Sequence, residues 1–342
     1  MANKEQLNRE TMGWLLKSEV AGVKYLALRQ LTGIAEDDAE MQAAREAAYR
    51  FGPIATILEN MQEAGYWCEP GAGYRPKYQG TVWSMLMLAQ LGAQASADGR
   101  IARACAYLLE HALTGNGQFS YNGAPSGTID CLQGNLCSAL LDLGYDDLRM
   151  DVAFEWMART VTGEGLAGLE DKKNPLRYYA YKCGPLFACG ATGQKPCAWG
   201  AVKVMLAFSK LPLERRTPLI ERAIRQGVDF LFSRDPAAAD YPTANEAKPS
   251  RDWWLFGFPV FYITDLLQNV EALARLGYGD DPRLANALKI IREKQDTQGR
   301  WALEFDYKGK TWVDFGPKKQ PSPWVTIRAA KVLQMAGEAV SF

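Results

Sequence analysis

The chain has 342 residues, 39 basic against 39 acidic side chains, and a hydrophobic share of 48%. Zero net charge gives no overall field for nucleic acid, and no Lys/Arg cluster interleaved with stacking aromatics compensates for it. The hydrophobic share excludes a disordered chain, and the length allows one large core. No apolar run approaches membrane-spanning length, and residues 1–14 hold no apolar core of a secretory signal. The seven cysteines are therefore expected as reduced thiols in a cytoplasmic setting, not as a disulfide framework.

Taken in chain order, the predicted elements repeat. A first helix is expected over residues 11–31, ending at Leu31. Apolar helices then stop at Leu91-Gly92, Leu143-Gly144, Leu211-Pro212 and Leu276-Gly277, and a last one stops at Met335. Successive end markers lie 60, 52, 68, 65 and 59 residues apart, a spacing that signals stacked supersecondary units. Glycine after the last apolar position can take the left-handed conformation that caps a helix. An acidic-then-Arg start follows several markers: Asp98-Gly-Arg100, Asp146-Asp-Leu-Arg149 and Asp281-Pro-Arg283.

The fullest unit is 265–301. Leu266, Leu267, Val270, Leu273 and Ala274 recur at helical spacing. Pro282 suits the first turn of a second helix, which carries Leu284, Leu288 and Ile291 on one face. A tail from Gln295 to Gly299-Arg-Trp301 closes the unit. Gln62-Glu-Ala-Gly65-Tyr-Trp67 repeats that tail, and Gly115-Asn-Gly117-Gln-Phe119 is a weaker copy. Five hairpins and a sixth first helix result, with the N-terminal helix available to close the last. The expected fold is all-α and a single domain over residues 1–342. Irregular connections are expected at 66–80, 163–198, 234–252 and 302–322.

Helical hairpins with Gln…Gly-x-Trp tails resemble the squalene-cyclase and protein-prenyltransferase superfamily, over nearly the whole chain as a repeat pattern. The resemblance implies an α/α toroid of the (α/α)6 kind, with six inner helices around a central cavity and the Gln and Trp of the tails tying outer helices together. The superfamily's catalytic motifs have no counterpart. Asp37-Asp38, Asp146-Asp147 and Asp280-Asp281 do not form the Asp-x-Asp-Asp of class II terpenoid cyclases, and the Asp-Asp-x-x-Asp of class I enzymes is absent. The zinc site of the prenyltransferases needs a histidine, and the only one here, His111, falls in an outer helix. The toroid is thus expected to carry chemistry of its own.

Inner helices of a toroid run parallel, so equal offsets from the end marker lie at similar depth. Eleven or twelve residues before the markers stand Gln79-Gly80, Cys131-Leu132, Trp199-Gly200, Thr264-Asp265 and Pro323-Trp324. They are expected to ring the N-terminal ends, and the cavity is expected to open there. The entering loops add Tyr74, Tyr78, Tyr181, Phe187, Trp253, Trp254, Phe258, Phe261 and Tyr262. An aromatic-lined concavity suits an apolar or aromatic small molecule, with Tyr78, Trp199, Trp254, Phe258 and Trp324 as its wall. Plain core filling is the alternative for each of them.

Asp265, set in FYITDLLQ, is the candidate general acid, because burial raises a carboxyl's pKa. Tyr262 and Cys131 join it as catalytic candidates, and Asp130 reads as a helix cap. Cys131, Cys183, Cys189 and Cys197 are a candidate thiolate set for a zinc ion, at about 2.3 Å per bond, or the source of one nucleophilic thiol. Packing as small hydrophobes is the alternative. Gln133, Asn135, Lys203 and Arg328 either face inward or tie helices together. The expected function is an enzyme acting by acid-assisted cyclisation, isomerisation, elimination or hydrolysis. A carbohydrate-active (α/α)6 hydrolase or lyase with paired carboxylates, and a non-catalytic toroid that binds a ligand or partner, stand open beside it.

Overall fold

The computed structural model describes residues 2–168, 170, 171, 173, 174, 176, 182–242 and 250–337; Tyr181 lies outside them. The fold is an all-α toroid. Its inner ring consists of α2 (Val23–Ala27), α5 (Thr81–Gln90), α7 (Asp130–Asp142), α9 (Ala198–Lys210), α11 (Leu266–Leu273) and α13 (Pro323–Met335). Helices α2 and α11 each run on as a wider π turn, Leu28–Thr32 and Ala274–Tyr278. Neighbours pack in order, α5 on α7, α7 on α9, α9 on α11, α11 on α13, and α13 on α2. Among the described residues no helix is long and apolar enough to cross a membrane.

Sequence explains which helices lie inside. Helix α5 reads TVWSMLMLAQ and buries Thr81 through Ala89; a helix apolar all round must be surrounded by protein. The outer helices are α3 (Ala39–Arg50) with α4 (Pro53–Glu59), α6 (Gly99–His111), α8 (Arg149–Thr162), α10 (Pro218–Leu231) and α12 (Ala285–Glu293). They are two-faced. Helix α10 buries Leu219, Ala223, Ile224, Val228 and Leu231 and leaves Arg225, Gln226 and Asp229 in solvent. Three outer helices begin with the same clasp. Asp98, Asp147 and Asp281 each accept the backbone N–H of the arginine two residues on, at 2.9 Å, and hold its guanidinium at 2.7, 2.7 and 2.6 Å.

The tails lock hairpin to ring. Trp301 is 2% exposed, donates its indole N–H to the Ile291 carbonyl of α12 at 2.7 Å, and donates its backbone N–H to Thr326 Oγ1 of α13 at 3.0 Å. Trp67 repeats both bonds, to the Ile57 carbonyl of α4 at 2.6 Å and to Thr81 Oγ1 of α5 at 3.1 Å. In the weaker copy Gln133 of α7 substitutes for the threonine, accepting the Phe119 N–H at 2.7 Å.

The helix expected over residues 11–31 is two helices. Helix α1 (Ala2–Leu16) is separated from α2 by a bend that ends at Gly22, whose φ of 98° no ordinary residue adopts readily. Helix α1 meets the tail of the fifth hairpin, where Thr11 Oγ1 donates to the Gln298 and Gly299 carbonyls at 3.0 and 3.2 Å.

Inside the ring, residues 257–262 form a strap between inner helices. Gln90 accepts the Val260 N–H at 2.7 Å and donates to its carbonyl at 2.9 Å. Asn135 donates to the Phe261 carbonyl at 3.3 Å, and Arg328 donates to the Gly257 carbonyl at 2.5 Å. Aromatic rings fill the rest of the N-terminal end. Phe258 stacks on Trp324 at 5.2 Å, Tyr78 stacks on Phe261 at 5.6 Å, and Trp83 meets Phe261 edge-on at 5.2 Å.

Candidate functional site

The strap decides where the toroid is hollow. Above it, towards the C-terminal ends of the inner helices, lies a cavity of about 320 Å³ lined by side chains from all six inner helices. This corrects the expectation that the opening lies at the N-terminal ends, which the strap and its aromatic partners plug. The lining comes in three tiers, as helical periodicity requires. The floor holds Asn135, Gln268 and Arg328 with Phe258 and Val260 of the strap; the middle holds Leu86, Ser138, Leu206, Glu271 and Lys331; the rim holds Gln30, Gln90, Asp142, Lys210 and Arg275, with Arg29 beside them. Floor to rim spans seven residues of helix, roughly 10 Å at 1.5 Å per residue.

The cavity is charged where an aromatic wall was expected. Five cationic side chains, Arg29, Lys210, Arg275, Arg328 and Lys331, face two carboxylates, Asp142 and Glu271. Lys210 Nζ lies 2.5 Å from Asp142 Oδ2 and donates to Ser138 Oγ at 2.8 Å. Glu271 Oε1 takes Arg275 at 3.0 Å and Lys331 at 3.2 Å. Burial alone would raise the Glu271 carboxyl, but Lys331, Arg275 and Lys210 hold it well below the usual carboxylate range. Burial also lowers the Lys331 ammonium, and Glu271 opposes that shift.

Of the expected wall, only Phe258 lines the cavity. Trp324 lies beneath it, buried against Phe258 and Phe315. Tyr78 belongs to the plug with Tyr307, ring centroids 4.7 Å apart. Trp254 donates its indole N–H to the Ala237 carbonyl at 2.8 Å, which fastens a loop. Trp199 is a half-buried residue at the start of α9, packed against the core.

The catalytic candidates are engaged elsewhere. Asp265 caps α11, with Oδ1 accepting the Gln268 N–H at 2.9 Å, and Arg328 grips both its oxygens. It faces the seam between α11 and α13 and does not line the cavity, so the general-acid expectation is corrected: both oxygens are occupied as acceptors. Tyr262 packs on Trp83 at 5.3 Å and Tyr74 at 6.1 Å within the plug. Cys131 is no ready nucleophile, because burial pushes its thiol up to about 12.

The other three cysteines of the candidate set, Cys183, Cys189 and Cys197, gather near the N-terminal ends of α7 and α9 without forming a metal site. Cys183 Sγ donates to Asp130 Oδ1 at 3.0 Å, and the Cys189 and Cys197 thiols hydrogen-bond each other. Among the described residues no group of three His, Cys, Asp or Glu side chains is arranged to hold a metal ion. The zinc expectation for Cys131, Cys183, Cys189 and Cys197 is corrected accordingly: Cys183 is engaged with Asp130, Cys189 with Cys197, and burial holds the Cys131 thiol protonated. Asp130 is the first residue of α7 rather than its cap, and burial pushes its carboxyl up to about 7. Lys203, fully buried, is pushed down to about 7 and donates to Gln268 Oε1.

Sequence reasoning missed Arg29, Lys210, Glu271, Arg275 and Lys331. A signal was present. The residue just before each end marker is Gln30, Gln90, Asp142, Lys210, Arg275 and Gln334, polar in every repeat, and five of these six line the rim. A polar position recurring at the end of otherwise apolar inner helices marks the face turned to a wet cavity.

No family model matches the sequence, and no curated protein matches it. Among solved structures, a protein from Actinoplanes is 14% identical and is similar over 98% of this chain and 99% of that chain, with a TM-score of 0.46. The type II terpene cyclase MstE from Scytonema is 14% identical and is similar over 83% of this chain and 96% of that chain, with a TM-score of 0.30. The toroid described above follows from the helix order and the interlocked tails, independently of either likeness.

Proposed function

We propose that the toroid binds a small organic anion in its central cavity. The observation that carries this reading is that two lining cations, Arg275 and Lys331, share the single carboxylate of Glu271, while Lys210 and Arg328 each have a carboxylate of their own in Asp142 and Asp265. The inner helices point their C-terminal ends at the rim, and each end brings partial negative charge that falls off within its last turn. That charge offsets Lys210 and Arg275 at the rim. Arg328, two turns inside the end of α13, is answered by Asp265, so the uncancelled positive charge sits about one turn inside, at Lys331. Phe258, Val260, Leu86 and Leu206 offer apolar surface beside it. The fitting ligand therefore carries a carboxylate or phosphate on a compact hydrocarbon body, and about 320 Å³ matches the low end of small-molecule sites.

An enzyme of the expected kind would use the same cavity, with the apolar surface taking the hydrocarbon part of its substrate. The lining offers charge for holding such a molecule rather than a free acid for attacking it, which favours binding as the primary role. Calorimetric titration with a panel of small carboxylates and phosphates tests the reading. The expected result is saturable binding that weakens about tenfold or more in Lys331→Met, the loss of one charge-assisted bond. Equal binding of the neutral amides, or binding unaffected by the substitution, would refute it.

A further inference from the structure

We propose that Cys189 and Cys197 form a redox-active dithiol that a small hydroperoxide oxidises to an intramolecular disulfide. The site stands apart from the central cavity, since neither residue lines it, and it does not depend on what the cavity binds.

The backbone brings the two thiols together. Strands β1 (Ala188–Cys189) and β2 (Lys195–Pro196) pair antiparallel with Cys189 opposite Lys195. The Cys197 N–H donates to the Phe187 carbonyl at 2.9 Å and prolongs the ladder. Side chains alternate along a strand, so residues 195 and 197 share a face, and Cys197 lies diagonal to Cys189 on it. The thiols are in hydrogen-bond contact.

The surroundings of the two sulfurs differ, and the difference assigns their roles. The Cys189 sulfur accepts from the Cys197 thiol and from the backbone N–H groups of Ala191 and Thr192, with the Lys182 charge nearby. Successive amides of a tight turn, here Gly190–Thr192, make a concavity that holds an anion. The hydrogen bond from Cys197 and these backbone contacts overcome burial and lower the Cys189 thiol, while the same hydrogen bond and burial raise Cys197. Cys105 has no such turn, and burial pushes it up to about 12. Cys189 is thus the attacking thiolate and Cys197 the resolving thiol.

The chemistry closes in two steps. The Cys189 thiolate attacks one peroxide oxygen, the O–O bond breaks, and the sulfur becomes a sulfenic acid while the other oxygen leaves as hydroxide or alkoxide. The Cys197 thiol then attacks that sulfur and the S–O bond breaks. Its proton leaves with the hydroxyl as water. Two electrons pass from the sulfur pair to the peroxide, and the sulfurs close to about 2.05 Å.

The full chain, reduced and treated with hydrogen peroxide at about pH 7, is alkylated, digested and weighed by mass spectrometry. The expected product joins Cys189 to Cys197, two hydrogens lighter than the dithiol, and forms about tenfold faster or more than Cys105 is oxidised. Cys197→Ser should instead accumulate a sulfenic acid on Cys189 that dimedone traps, and Cys189→Ser should lose the fast phase. Should both substitutions disturb folding, the unsubstituted chain still decides, because iodoacetamide should label Cys189 ahead of Cys105 at the same pH. A disulfide between other cysteines, or a Cys189 no more reactive than Cys105, overturns the proposal.

Discussion

Arg328 grips Asp265 with both arms of its guanidinium, Nη1 to Oδ2 at 2.8 Å and Nη2 to Oδ1 at 2.9 Å. The pair ties the cap of α11 to the middle of α13 and, through Gly257, to the strap. One arginine therefore joins two inner helices to the plug that floors the cavity.

Removing one partner should expose how much the fastener matters. Arg328→Met strips a buried carboxylate of the cation paired with it, and the expected loss is about 3–5 kcal/mol. Adding Asp265→Leu to it should recover a good part of that loss, because the uncompensated charge is gone. Urea denaturation of the two variants measures both numbers; a loss under about 1 kcal/mol in the single variant would show the pair to be dispensable.

The tails make a second prediction. Trp301→Ala removes a buried indole and its bond to Ile291, and should cost roughly 3–5 kcal/mol. Trp67→Ala should cost a similar amount, since the partners are equivalent. Thr326→Val keeps the shape and removes only the acceptor for the Trp301 N–H, so about 1–3 kcal/mol is expected. Thermal melts of the three variants test the ranking.

Stability should also vary with pH through two buried groups. The Asp130 carboxyl rises from 3.8 unfolded to about 7 folded. The folded state binds the proton more tightly, so stability is greatest below about pH 4 and is lost as pH climbs to about 7, by something of the order of 4 kcal/mol. Lys203 falls from 10.5 to about 7. Its cost is complete below about pH 7 and is relieved as pH rises, so stability should recover up to about pH 9, above which the buried Cys105 and Cys131 thiols, raised to about 12, oppose the gain. Asp130→Asn should flatten the acid arm and Lys203→Met the alkaline arm. A wild-type curve that is flat from about pH 4 to 9 would contradict both shifts.

The cavity gives a prediction with a sign opposite to most substitutions. Glu271→Gln removes the carboxylate that occupies Arg275 and Lys331. Both cations then become available, and affinity for the anion should rise while fold stability falls. Binding should weaken with added salt in the wild type. Titration of the variant against the same ligand panel reads the change directly; weaker binding would mean that Glu271 itself contacts the ligand.

Much of this architecture is legible in the amino acids, because a helical hairpin is a local object. Leu-Gly stops, Asp-x-Arg clasps and Gly-x-Trp tails are each specified within a few residues. What escaped were relationships across repeats. The position of Asp265 at the start of its helix is legible, yet its partner lies 63 positions away, and no spacing announces it. The aromatic ring expected to line an opening does exist at the N-terminal ends, but the strap at 257–262 turns it into a plug. The thiols gathered as their loop suggested, while the pairing of Cys183 with Asp130 and of Cys189 with Cys197 depends on a turn geometry that cysteine spacing does not encode. The polar residue before each end marker was readable and pointed to the other end of the ring.

The ring also has a buckle. Every hairpin forms from residues close in sequence, but α13 meets α2 across the whole chain, with Gln334 Nε2 reaching the Leu31 carbonyl 303 positions away at 3.3 Å. Thr11 makes the companion contact, 287 and 288 positions from its acceptors. The entropy of bringing chain ends together grows only with the logarithm of the distance between them, at about 0.6 kcal/mol per doubling. From one repeat of roughly 60 residues to the full circuit is little more than two doublings, or about 1.4 kcal/mol. A ring this long is therefore hardly more difficult to shut than one of its own hairpins, and a few hydrogen bonds at the seam suffice to keep it a circle rather than an open coil.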